Sequence, residues 1–132
     1  MKLQFDHIGI FCKNLKSGSK HIQYLFPIKK KSKIIIDRKL KLQFQLFFDE
    51  SNICYELVAD IRGSTLVKNT LKRKSFLNHI AYKTSNFNST VKRYINLGCR
   101  AISKKFVSKV FKDKKIIFLL SPLGIILEII EL

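Results

Sequence analysis

Leu77-Asn78-His79-Ile80-Ala81-Tyr82 decides the reading of this chain, because it sets one imidazole in an apolar strand pattern and because it occurs twice. Its counterpart is Phe5-Asp6-His7-Ile8-Gly9-Ile10, 72 residues earlier (79 − 7). The same interval relates Glu56, in Ile53-Cys54-Tyr55-Glu56-Leu57-Val58, to Glu128, in Ile126-Leu127-Glu128-Ile129-Ile130 (128 − 56). It also relates Asn14-Leu15-x-Ser17 to Asn86-Phe87-x-Ser89. A spacing that holds through a strand, a helix start and a later strand marks an internal repeat.

Working outward, each repeat predicts β-α-β-β-β, so the expected fold is α+β with two tandem modules. The first module is 1–59: a strand over 3–12, a helix over 17–26 stopped by Pro27, and strands over 33–37, 40–48 and 53–59. Asp49-Glu50-Ser51-Asn52 has the composition of a hairpin turn, and Asn14 and Ser17 that of helix caps. Residues 60–76 form a polar, basic connection with a short helix over 64–71, where Leu66, Val67 and Leu71 share a face. The second module is 77–132: a strand over 78–84, a helix over 86–97 with Phe87, Val91, Tyr94 and Ile95 on one face, and Gly98 as a left-handed cap. Strands over 100–107, 115–120 and 125–131 follow, the last two joined by the turn Ser121-Pro122-Leu123-Gly124.

Bulk composition narrows the class. At 132 residues, with 46% hydrophobic content and 11 Phe, the chain can fill a core and is not disordered. No apolar run approaches the roughly 20 residues that span a bilayer, and the start lacks the apolar core of a signal peptide. Cys12, Cys54 and Cys99 are odd in number and lack a CxxC spacing, which predicts free thiols and a soluble cytoplasmic protein. The charge is +17, from 26 Lys and Arg against 9 Asp and Glu. Such a field attracts anionic partners, and it equally describes a well-solvated lysine-rich surface. Aromatics are not interleaved with the lysine runs as a nucleic-acid stacking surface requires, so nucleic acid is not an expected partner.

The chemistry rests on the glutamates. A carboxylate buried alone in an apolar strand costs several kcal/mol unless it is paired, protonated or bound to a metal. Each repeat offers such a Glu and opens with a His, 49 residues apart in both (56 − 7 and 128 − 79). Imidazole and carboxylate together suit a divalent ion such as Zn, Ni, Co, Mn or Fe(II). The bland alternative is that both glutamates face solvent or pair with lysines.

The doubled β-α-β-β-β plan, with His-Ile-Gly/Ala after an apolar entry and a Glu in the last strand of each half, resembles the vicinal oxygen chelate superfamily. That superfamily includes glyoxalase I, bleomycin resistance proteins, extradiol dioxygenases and methylmalonyl-CoA epimerase. The epimerase-like subgroup is most similar, through Asp6-His7-Ile8-Gly9-Ile10, Asn78-His79-Ile80-Ala81-Tyr82 and Lys115-Ile116-Ile117-Phe118-Leu119-Leu120-Ser121-Pro122 leading to Leu127-Glu128. The resemblance implies a glyoxalase-like fold, a cupped mixed sheet around a metal cleft. It implies that His7, Glu56, His79 and Glu128 bind Zn, Co, Ni or Mn. At the second ligand position epimerases commonly carry Gln, where Glu56 is more like some glyoxalases. The epimerase base corresponds to Asp37, with Glu128 the candidate on the opposite face. The implied activity is proton transfer beside a metal-chelated carbonyl of an acyl thioester carried on coenzyme A or an acyl carrier. A glyoxalase I-type lyase and a non-catalytic small-molecule-binding or resistance protein are the alternatives. The resemblance further implies a homodimer.

Overall fold

The computed structural model describes residues 2–61, 65–72 and 76–132. It divides into two compact units, His7–Asn78 and Met1–Asp6 with His79–Leu132, and strand β1 (Leu3–Phe11) contributes to both. The α+β class and the doubled module are found.

In the first unit, β1 is followed by helix α1 (Leu15–Leu25), short strands β2 (Ile28–Lys31) and β3 (Ile35–Asp37), and longer strands β4 (Leu42–Asp49) and β5 (Cys54–Asp60). The sheet order is β2-β4-β5-β1, with β3 also paired to β4. Strands β1 and β5 run parallel, Gly9 opposite Glu56, while β4 is antiparallel to its neighbours. Asn14 caps α1, its side chain accepting from the Ser17 N–H at 3.0 Å. Pro27 cannot continue the helix, and the chain turns directly into β2. Ile22 of α1 packs on Phe47, Tyr55 and Leu57, with Ile8 and Ile10 at the margin. Alternation then sends Glu56, Leu46 and His7 to the sheet face opposite α1.

Gly18 shows how close α1 sits. A Cβ there would lie 2.9 Å from Cys12 Sγ and 3.3 Å from Leu57 Cδ1. Burial also pushes the Cys12 thiol up to about 11, partly offset by a backbone hydrogen bond with Asn14, so the thiol stays protonated at neutral pH. Overpacking of this kind costs about 1–3 kcal/mol, against roughly 1 kcal/mol gained by replacing a mid-helix glycine. Gly18→Ala is therefore expected to lower urea-unfolding stability by about 1 kcal/mol, and adding Cys12→Ala to restore it. A stabilised single variant would show that the contact is relieved freely.

The β4–β5 turn is held by Asp49. Its Oδ1 accepts from the Ser51 and Ile53 N–H groups at 2.8 and 3.0 Å, and the Tyr55 hydroxyl donates to Oδ2 at 3.0 Å. Burial alone would raise this carboxyl; the bonds from Ile53, Tyr55 and Ser51, with the charge of Lys29, outweigh it and hold it below its ordinary 3.8. A group depressed on folding stabilises above its unfolded value and loses that contribution as pH falls through the folded one. Asp49→Asn should accordingly flatten the loss of stability below about pH 4 in an acid titration of unfolding. An unchanged acid slope would remove Asp49 from the acid response.

Helix α2 (Thr65–Lys72) falls within the expected connection. The apolar face anticipated from Leu66 and Val67 lies outside the described side chains. Among the described residues, no helix is long and apolar enough to cross a membrane.

The second unit contains β6 (Leu77–Thr84) from His79 onward, α3 (Phe87–Asn96), β7 (Arg100–Ala101), β8 (Phe106–Ser108), a 3-10 turn (Lys109–Phe111), β9 (Lys114–Leu120) and β10 (Ile126–Glu131). The order is β6-β10-β9-β7, with β8 also on β9 and β10 parallel to β6. Phe87, Val91 and Tyr94 of α3 pack with Cys99, Ile117, Leu119 and Ile129. Ile95, expected beside them, is 41% exposed. At about 100° per residue it lies roughly 80° round the helix from Phe87, whereas Tyr94 lies within about 20°. Gly98 takes the left-handed conformation expected of it, with φ 98°.

The edge strands differ from expectation in the same way in both units. The strand expected over 100–107 is broken into β7 and β8, and the one expected over 33–37 is preceded by an unanticipated β2. Lys29, Lys30 and Lys31 lie on one edge, and Lys104 and Lys105 fall in the break on the other. Each edge is thus two short pieces with lysines on them.

Candidate metal centre

Period-2 alternation on β5 turns Tyr55 and Leu57 toward α1 and Glu56 the other way. Gly9 sits directly opposite Glu56 on β1 and brings no side chain to crowd the carboxylate, while His7, two residues before it, shares its face. The His7 Nε2 lies 3.5 Å from Glu56 Oε1, with the two side chains 1% and 3% exposed. Solvent is excluded from the pair.

The second unit repeats the arrangement with its own residues. Ala81, fully buried, stands opposite Glu128 on the parallel strand, and His79 precedes it by two. The His79 Nε2 lies 3.1 Å from Glu128 Oε2, with side chains 2% and 4% exposed. The Phe118 ring meets His79 edge-on at 5.1 Å and stacks on Phe106 at 5.9 Å. Phe118 is also the partner of Glu128 across β9 and β10, as Leu46 is of Glu56 across β4 and β5. Each pair therefore has an apolar wall on one side and a Gly or Ala on the other.

These distances bear on what the pairs can hold. Two atoms about 2.1 Å from one divalent ion, at angles between square and tetrahedral, lie roughly 3.0–3.4 Å apart. The observed 3.1 Å falls in that range and the 3.5 Å lies about 0.1 Å beyond it. Two imidazole nitrogens and two carboxylates are an appropriate donor set for zinc or another first-row ion. Among the described residues, His7 with Glu56 in one unit and His79 with Glu128 in the other are the buried His and carboxylate residues of a kind that could hold a metal. The alternative in which the glutamates face solvent is not what is found: both are buried.

Asp37 is placed differently. It closes β3 opposite Leu42, is buried, and its Oδ1 accepts from the Leu40 N–H at 3.1 Å. Leu42 and Leu46 share a face of β4, so Asp37 is on the face that carries Glu56. It is displaced roughly 13 Å along β4 and about 10 Å, two strand spacings, across it. The turn bond is one that Asp makes readily in any loop.

Sequence reasoning did not find the walls, Leu46 and Phe118, nor the role of Gly9 and Ala81. The signal was present, since both sets are related by the same 72-residue interval (118 − 46 and 81 − 9).

Comparison with known proteins agrees with this architecture. The family model of the Glyoxalase/Bleomycin resistance protein/Dioxygenase superfamily matches residues 6–118. No protein of curated description matches the chain. Among solved structures, a hypothetical protein from Bacillus halodurans aligns with TM-score 0.81 and 18% identity, covering 100% of this chain and 96% of its own. Methylmalonyl-CoA epimerase from Mycobacterium tuberculosis aligns with TM-score 0.74 and 19% identity, over 96% of this chain and 86% of its own. The Streptomyces coelicolor epimerase, solved with 2-nitronate-propionyl-CoA, aligns with TM-score 0.73 and 18% identity, over 97% and 96%. At such identities the likeness is one of fold.

Proposed function

The chain belongs to the Glyoxalase/Bleomycin resistance protein/Dioxygenase superfamily, and from that premise we propose that it is a metal-dependent enzyme moving a proton on the carbon next to a carbonyl, on an acyl thioester as in methylmalonyl-CoA epimerase. The observation that carries this reading is the repeated buried pair, His7 with Glu56 and His79 with Glu128, each at ligand-to-ligand spacing. The four side chains are proposed to hold one Zn, Co, Ni or Mn ion. Such an ion polarises a carbonyl oxygen and stabilises the negative charge that develops when the neighbouring carbon loses a proton.

The residues of the chain divide the remaining work. His7 and His79 would supply nitrogen donors to the ion, and Glu56 and Glu128 would offset its charge in a region that excludes water. Asp37 is the proposed base, supported by its burial and by its place on the Glu56 face of β4. Glu128 is the proposed group for returning the proton from the other side. A carrier rich in phosphate, or an acidic carrier protein, suits the +17 charge. A homodimer is proposed on the family resemblance, and the cytoplasm on an odd number of cysteines without CxxC spacing.

The test is deuterium incorporation beside the thioester of methylmalonyl-CoA in heavy water, with cobalt-loaded and chelator-treated protein. Exchange that needs the metal is expected. No exchange by loaded protein overturns the epimerase reading. Glu56 favours a second reading, a glyoxalase I-type lyase, because its carboxylate stands where epimerases commonly carry Gln. Turnover of the methylglyoxal–glutathione hemithioacetal without thioester exchange would select it. Binding without turnover of either substrate would select the non-catalytic class.

A further inference from the structure

We infer that Ser32 and Ser103 are positioning residues for the metal centre, each locking the strand residue that walls a ligand glutamate; this rests on the metal reading above. Both serines lie in the break between the two pieces of an edge strand. Ser32 Oγ accepts from the Leu46 N–H at 3.0 Å, and the Ser32 N–H donates to the Leu46 carbonyl at 2.8 Å. In the other unit, Ser103 Oγ accepts from the Phe118 N–H at 2.9 Å, and the Ile102 N–H donates to the Phe118 carbonyl at 3.0 Å. Each hydroxyl also donates onward, to the Lys33 carbonyl at 2.7 Å and the Lys104 carbonyl at 2.9 Å.

The register makes the placement significant. Leu46 is the partner of Glu56, and Phe118 the partner of Glu128. With their backbone groups turned outward to the serines, Leu46 and Phe118 form the non-hydrogen-bonded kind of antiparallel pair. Its Cα atoms approach to about 4.5 Å, and the side chains press together. Each serine thus fixes the wall residue paired with a glutamate across the antiparallel ladder.

The pairing slips across both breaks, which makes them bulges. Ala101 is opposite Leu119 but Phe106 is opposite Ile116; Lys31 is opposite Phe47 but Ile35 is opposite Phe44. Bulges are over-represented at sheet edges and next to functional sites, where they re-aim a side chain or end the pairing. Lengths and sequences of the two breaks differ, and the backbone facing the wall is that of Ser32 in one and Ile102 in the other, yet in both a serine hydroxyl takes the wall residue's N–H. A merely edge-closing role would not require that coincidence with the glutamate register in both units.

The test uses the full chain with cobalt, reading dissociation constant and visible absorption separately from the stability of metal-free protein. Ser32→Ala and Ser103→Ala are each expected to weaken cobalt binding about tenfold, at the low end of effects for residues behind a ligand, and to shift the cobalt bands. Ser32→Thr and Ser103→Thr should recover both, and Ser89→Ala, at an exposed position of α3, should change neither. If an alanine variant fails to fold, Ser32→Cys or Ser103→Cys keeps the size with a weaker acceptor and is read in the same way. Variants that lose stability while keeping the wild-type constant and spectrum overturn the inference and leave the metal reading intact. Wild-type protein that binds no cobalt overturns both.

Discussion

His79→Ala is expected to abolish stoichiometric metal binding and, with it, metal-dependent exchange. Even removing a residue behind a ligand weakens metal affinity by about 10–100-fold, so loss of a ligand should exceed about 100-fold. The substitution also takes the imidazole from beside Glu128, whose side chain is 4% exposed, leaving its carboxylate to be neutralised by other means. Two measurements separate the effects: metal content of purified protein by elemental analysis, and unfolding of the metal-free form. His7→Ala should behave alike, because His7 stands to Glu56 as His79 stands to Glu128. A His79→Ala protein that retains one equivalent of metal would exclude the four-ligand site.

Asp37→Asn is the second large effect. The amide oxygen of Asn can still accept from the Leu40 N–H, so the turn at the end of β3 should persist and stability should change little. The variant cannot take a proton as a carboxylate does. If Asp37 is the base, exchange at the thioester carbon should fall by roughly 10²–10⁴ while metal content stays constant. The separation along β4 makes this a demanding test, since a base must come within hydrogen-bond reach of a carbon one bond from the metal-held carbonyl. Full exchange activity in Asp37→Asn would reduce Asp37 to a turn residue.

How much was legible in the sequence follows from what repeats and what does not. The pairing of His7 with Glu56 and of His79 with Glu128 was readable because chemistry and spacing coincide twice in apolar strands, where a lone carboxylate is costly. Helix α3 was readable as far as Tyr94 and misread at Ile95, where an apolar residue sits just off the buried arc. The edge strands were less readable. Lys29-Lys30-Lys31 looks like a charge run, and β2 forms there because pairing with β4 supplies its hydrogen bonds, whatever the side chains prefer. The strand over 100–107 read as continuous because a bulge is a matter of register between two strands, and one strand's sequence does not contain it. Asp37 shows the limit for chemistry: its burial was not signalled, nor was its distance from Glu56.

The lysines along the two broken edges give part of the positive charge a purpose that requires no ligand. An exposed strand edge offers open N–H and C=O groups to any passing chain, and short pieces, bulges and lysines are the ordinary means of refusing that pairing. The chain has several phenylalanine- and isoleucine-rich strands that could stack into fibrils if their edges were long and neutral. At Lys29-Lys30-Lys31 and Lys104-Lys105 like charges would meet when two copies of the chain approach edge to edge, which disfavours that pairing.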